Sequence, residues 1–304
     1  MSVLETGTTD AKRVALAELK TRPRPARGRY VAAALATIFT ALFLWSLAVN
    51  EAIDWAVVAR YLFNPRILAG VVVTIQITVL SLLVGFSSGL VIALMRLSQS
   101  KILQIIATVW VWFFRAVPVL VILILVNNIA LLYPEVGIGL PGMPMLIGVD
   151  TNAIISPLLA AVLAFGANEG AYASEIFRAS IKSVPTGQFE AAKALGMGSG
   201  RVYWRIVLPQ AMRIAVPPLS NNTINMLKGT SLVAFIGVAD VLYTAQSIYA
   251  QNYEVIPMLL VACLWYLLMV SVLTVGQILI ERRLGFDRKR RRTAILAEEA
   301  LSNG

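Results

Sequence analysis

The sequence predicts an all-α membrane protein, a polytopic bundle of six transmembrane helices with a long helical loop on the cytoplasmic side. Three observations carry that expectation: composition, apolar stretches of spanning length, and the placement of basic residues. Of 304 residues, 58% are hydrophobic and 14% charged, and the mean hydropathy is +0.77. Soluble domains do not reach these values. Crossing about 30 Å of hydrocarbon takes about 20 apolar residues. Six stretches qualify, near 31–49, 67–95, 103–127, 155–177, 214–237 and 256–280.

The net charge of +10 would suggest nucleic acid in a soluble protein, but the placement of the 26 Lys and Arg argues otherwise. Seven precede Tyr30, seven lie from Arg282 to Arg292, six lie from Arg178 to Arg213, and Arg96 and Lys101 share one interhelical loop. The alternate loops, 50–66, 128–154 and 238–255, hold only Arg60 and Arg66. This asymmetry is the positive-inside pattern, so both termini are expected in the cytoplasm and no nucleic-acid partner is expected.

The first apolar stretch follows a 29-residue leader and no small-x-small site follows Leu47, so it reads as an uncleaved anchor. Cys263 is the single cysteine and there is no histidine, which leaves no internal disulfide and no expected metal site.

Taken in order, residues 1–29 form a basic cytoplasmic tail whose arginines can lie against anionic headgroups. Residues 30–66 hold the first helix and an outside loop, 67–284 the main transmembrane domain, and 285–304 a second cytoplasmic tail. Gly85, Gly89 and Ala93 fall on one helical face, a surface for close approach of another helix. Tyr133 to Asp150 contains Pro134, Pro141 and Pro144 but no basic residue, and is expected outside as turns or short re-entrant pieces. Residues 183–209 read as two short amphipathic helices joined at glycines. The first starts around Pro185 with Phe189, Ala192 and Leu195 on one face, and the second starts at Ser199 and meets Pro209.

That segment reads Glu190-Ala191-Ala192, three residues, Gly196, nine residues, Ile206, one residue, Leu208-Pro209. It resembles the EAA motif of ATP-binding-cassette importer permeases at every fixed position. An ordinary amphipathic helix would explain the alanines but not this spacing in this topological place. The resemblance extends from about Arg66 to Leu284 and is similar to the polar amino acid uptake family through Gly70 to Thr78, Phe114 to Pro118, Asn168 to Phe177 and Leu227 to Leu232. Many members carry Gly-Thr where this chain has Ala116-Val117, and the first helix lies outside the five-helix core of the family.

The resemblance implies a permease that moves a polar amino acid by alternating access across a bacterial cytoplasmic membrane. It also implies that Glu190, Ala191, Ala192, Gly196, Ile206, Leu208 and Pro209 couple to a dimer of ATPase subunits. Its other implied partners are a second permease, identical or similar, and an external solute-binding protein. ATP and magnesium would be bound by the ATPase, since this chain has no phosphate-cradling GxxxxGK[ST] loop and is not itself expected to be an enzyme.

Polar side chains inside hydrocarbon usually face a cavity or a bundle interior. In the fourth stretch Glu169 can receive an ammonium or a cationic side chain, with Asn168 and Tyr172 adding hydrogen bonds. The alternative is a structural ion pair of Glu169 with Lys228. In the fifth, Pro217-Pro218 should break regular hydrogen bonding, and Asn221, Asn222, Asn225 and Lys228 either line a pathway or bond helices together. Arg115, before Pro118, can meet a substrate carboxylate, hold helices, or reach carbonyls freed by the proline.

Two rival readings are an ion-coupled secondary transporter, which would need no ATPase-docking segment, and a nontransporting scaffold, which would need no polar intramembrane residues. The residues do not specify which amino acid is carried or whether the permease pair is homo- or heterodimeric.

Overall fold

The computed structural model describes residues 27–138 and 147–284, so the tails at 1–26 and 285–304, and Pro141 and Pro144, lie outside the described residues. Helix α1 is Arg27–Ala48, apolar from Tyr30 onward and part of a unit distinct from the compact unit Asp54–Leu284. That larger unit begins with α2 (Trp55–Leu62), capped by Asp54. It thereby takes in residues that the sequence reading grouped with the first helix. The reason is packing: Val57 and Val58 are buried, and Trp265 Nε1 donates to the Leu62 carbonyl at 2.7 Å.

Helix α3 (Pro65–Leu97) starts at an Asn64 cap followed by Pro65, and α7 (Pro157–Lys182) at a Ser156 cap followed by Pro157. In both, the proline occupies the first turn, where its missing N–H costs nothing. These two make the most extensive helix contact of the unit. Gly85 and Gly89 permit it: a Cβ on Gly85 would stand 2.7 Å from Glu169 Cβ, and one on Gly89 2.8 Å from Ala173 Cβ. The small-residue face read from the sequence is thus a packing face, and its partner is α7.

The stretch 103–127 is not one straight span. It forms α4 (Lys101–Ala116) and α5 (Val119–Asn127), bent by 101°. Val117 takes the extended conformation that a following proline imposes, and Pro118 supplies no N–H to continue the helix. A short 3₁₀ turn, Ile129–Leu131, then leads to strands β1 (Glu135–Ile138) and β2 (Ile147–Asp150) and helix α6 (Thr151–Ile154). The described ends of 133–150 form an antiparallel ribbon, with Glu135 opposite Asp150 and Val136 opposite Val149, while the turns expected around Pro141 and Pro144 lie outside the described residues.

After α7 come α8 (Thr186–Ala194), α9 (Ser199–Val202), a π-helical turn (Tyr203–Val207) and α10 (Leu208–Gly229). Pro217 and Pro218 do not break α10, which continues through both; they delete two hydrogen bonds without ending the helix. A 3₁₀ stretch, Thr230–Ile236, follows and ends at Gly237 with φ +74°. Helix α11 (Val241–Asn252) and the long α12 (Val255–Arg283) complete the unit.

Asp240 ties these last elements together. Its carboxylate accepts from Tyr243 N–H and from the Tyr266 hydroxyl, each at 2.8 Å, while Val241 N–H donates to Thr74 Oγ1 at 3.2 Å. Gly70 lets α3 approach, since a Cβ there would meet the Asp240 carbonyl oxygen at 2.8 Å.

Among the described residues, α1, α3 and α12 are long and apolar enough to span a bilayer, and the bent pairs α4–α5 and α10–α11 raise the number to five. The sixth expected span is α7, whose 26 residues rise about 39 Å. Asn168 and Glu169 dilute its apolar character.

Candidate functional site

Helix α7 is the hub, packed by α3, α4, α5 and α10. It and α10 flank a cavity of about 210 Å³ lined by Asn168, Glu169, Tyr172, Asn222 and Asn225, with Val119, Phe165, Met226 and Gly229 as apolar walls. Five of the eight pathway candidates read from the sequence thus meet in one place.

Glu169 is 6% exposed, and its Oε1 accepts from Asn222 Nδ2 at 3.0 Å. Among the described residues no cation lies within ion-pair distance of it. The alternative reading, a pair with Lys228, does not form: Lys228 lines a different cavity, with Leu242, Cys263 and Tyr266. Pairing would require Lys228 on the α7 side of α10, whereas Asn222 and Met226 hold that side. Asn221 is exposed and not among the residues lining the Glu169 cavity. Among the described residues Asn222 is thus the one side chain that hydrogen-bonds the Glu169 carboxyl group.

Asn168 has a second task. Its Nδ2 donates to the Phe114 carbonyl at 2.7 Å, the group whose helical donor would be the N–H that Pro118 lacks. The sequence reading offered that carbonyl to Arg115; the structure gives it to Asn168. Arg115 instead lies over the Tyr172 ring, 5.2 Å from its centroid, and 3.9 Å from Glu175 Oε1.

Glu175 gathers two further guanidiniums. Arg178 donates to Oε2 through Nε at 3.0 Å and Nη2 at 2.8 Å, and Arg96 bonds Oε1. The sequence reading missed this cluster. The i,i+3 spacing of Glu175 and Arg178 was a legible signal; the arrival of Arg96 and Arg115 from other helices was not. Beside the cluster lies a second cavity, about 630 Å³, bounded by Arg115, Glu175, Ile176, Ala179, Ser180, Ser183, Ile214 and Pro218. It uses the same two helices as the Glu169 cavity, nearer the coupling segment.

That segment is a self-contained cap. Helix α8 ends as a Schellman motif: Gly196 N–H donates to the Lys193 carbonyl at 2.9 Å and Met197 N–H to the Ala192 carbonyl at 3.0 Å, with Gly196 at φ +72°. The motif glycine is therefore demanded by a left-handed residue. Ala192 is buried with Ile181, Val184, Val202, Val207 and Ala211, and Ile206 packs on that group. Its small size lets α8 pack onto the ends of α7 and α10. Glu190, Ala191 and Pro209 are exposed. Leu195, expected on the apolar face, is 82% exposed because it caps α8. Pro209 sits in the first turn of α10, directly after the π-helical turn.

The described residues thus combine a helical membrane bundle, a capped segment at one end and a polar groove between α7 and α10. Residues 81–285 match the family model described as binding-protein-dependent transport system inner membrane component, and the chain belongs to this family of ABC-importer permeases. It is 39% identical over 277 residues to the arginine transport system permease protein ArgU of Corynebacterium glutamicum, covering 90% of this chain and 85% of the relative. It is 38% identical over 240 residues to the L-cystine transport system permease protein TcyB of Bacillus subtilis, covering 79% of this chain and 94% of the relative. A solved amino acid ABC transporter with histidines superposes with a TM-score of 0.64 at 31% identity, over 76% of this chain and 99% of that one.

Proposed function

We propose that this permease passes a polar amino acid, preferentially one with a cationic side chain, through the Glu169 cavity. The observation that carries the reading is Glu169, a buried carboxylate with Asn222 as partner and, among the described residues, no cation within ion-pair distance. An amino acid's positive group would complete it, with Asn168, Tyr172 and Asn225 around the remainder. The name of one relative, an arginine permease, agrees with a cationic side chain, and that of another, an L-cystine permease, agrees with an amino acid substrate.

On this reading the chain sits in a bacterial cytoplasmic membrane with both termini inside, as the positive-inside pattern requires. Glu190, Ala191 and Leu195 face a pair of separate ATPase subunits, which bind ATP and magnesium and perform all the hydrolysis. Ile214, Pro218, Asn221, Asn225 and Lys228 form an exposed stripe along α10. A polar stripe on a membrane helix needs a cover other than lipid, which a second permease subunit supplies. An external binding protein delivers the substrate.

The test is uptake by proteoliposomes carrying the complete complex. Internal ATP should drive accumulation without any ion gradient, and Glu169→Gln should lower uptake of L-arginine at least about tenfold, the loss of one charged contact. Gradient-driven uptake without ATP, or unchanged transport by Glu169→Gln, would sink the reading.

A further inference from the structure

We infer that the cavity nearer the coupling segment is a second substrate station, which reads the carboxylate end of the amino acid through Arg115. The inference rests on the Glu169 reading and extends it along the same groove.

Three guanidiniums, Arg96, Arg115 and Arg178, stand around the single carboxylate of Glu175, an excess of two positive charges beside a cavity of about 630 Å³. They are not equivalent. Arg96 and Arg178 hydrogen-bond both Glu175 oxygens and have side chains 19% and 27% exposed. Arg115 is 46% exposed, reaches Glu175 only at 3.9 Å, and makes no side-chain hydrogen bond among the described residues. Among the described residues its donors have no hydrogen-bond acceptor. A guanidinium is built to receive a carboxylate through two parallel bonds.

Its position suits a handover. Tyr172 lines the Glu169 cavity, while Arg115 lies on the face of the Tyr172 ring and lines the second cavity. The Arg115–Tyr172 stack therefore marks the junction of the two, with a negative station on one side and a positive one on the other. A zwitterion held by its positive group at Glu169 meets Arg115 with its carboxylate as it moves toward the coupling segment. Stacking also orients the guanidinium plane without consuming its donors.

The experiment compares L-arginine with L-argininamide, which keeps both positive groups and lacks the carboxylate. Both are titrated into the complete complex in nanodiscs of phosphatidylcholine alone, so that no anionic headgroup occupies the cluster. Arg115→Gln should weaken L-arginine binding by about tenfold or more, the size of one charge-assisted contact, and change L-argininamide binding by less than about twofold. Arg115→Lys should recover part of the preference.

Equal losses for both probes in Arg115→Gln would make Arg115 a structural residue and overturn the inference, as would no loss for either. A wild type that binds both probes equally overturns it too while leaving Glu169 untouched. Glu169→Gln, run alongside, should weaken both probes alike. If it weakens neither, the Glu169 reading fails separately.

Discussion

Gly85→Ala tests the packing that holds the candidate site together. The added methyl would stand 2.7 Å from Glu169 Cβ, 2.8 Å from its Cγ and 3.2 Å from the Gly166 carbonyl oxygen. Carbon atoms prefer about 3.5–4.0 Å, so α3 and α7 must part by about 1 Å. Overpacking of this kind costs about 1–3 kcal/mol, and the better helix propensity of alanine returns at most about 1 kcal/mol. The net is a loss of up to about 2 kcal/mol, together with a displaced Glu169. A shift of about 1 Å takes the 3.0 Å bond to Asn222 out of hydrogen-bonding range. Gly276→Ala on α12 is the control: no heavy atom lies within 4 Å of its added Cβ, so only the propensity gain applies. Thermal unfolding of the complex in nanodiscs and L-arginine uptake should both fall for Gly85→Ala and hold for Gly276→Ala. Wild-type behaviour of Gly85→Ala, or an equal loss in the control, refutes the reasoning.

At Gly196, φ +72° costs a residue with a Cβ about 1–2 kcal/mol, so Gly196→Ala should uncouple ATP hydrolysis from uptake while Gly196→Asn, which tolerates the left-handed region, retains more; the number of substrate molecules moved per ATP checks this. Asn168→Leu should cost about 1–3 kcal/mol by stranding the Phe114 carbonyl. Combining it with Pro118→Ala, which restores an N–H at that point, should recover part of the melting temperature; no recovery breaks the proposed link between the two residues.

The coupling segment was readable because its requirements are local. Gly196, Ala192 and Met197 close one helix end by hydrogen bonds five residues apart or fewer, and a spacing pattern records such geometry directly. The four weaker stretches of resemblance acquire physical reasons only in the fold. Gly70 and Thr74 receive the Asp240 loop, Phe114 and Pro118 create the bend that Asn168 repairs, and Leu227 to Leu232 end α10 with Thr230 Oγ1 donating to the Leu227 carbonyl.

Helical periodicity placed Asn221, Asn222, Asn225 and Lys228 along α10 but not which of them turn toward α7. Spacing within one helix carries no information about its rotation against a neighbour.

By itself, then, the sequence determined the solvent, since apolar length and basic loops answer to the bilayer directly, and the coupling motif, since its constraints lie within twenty residues. The tertiary structure decided the partners: Asn222 for Glu169 in place of Lys228, Asn168 for the carbonyl that Pro118 leaves, and three arginines for Glu175. Those choices depend on which helices meet and at what rotation. Side-chain volume at the contacts settles that, above all at Gly85 and Gly89, where the absence of a Cβ lets α3 reach α7.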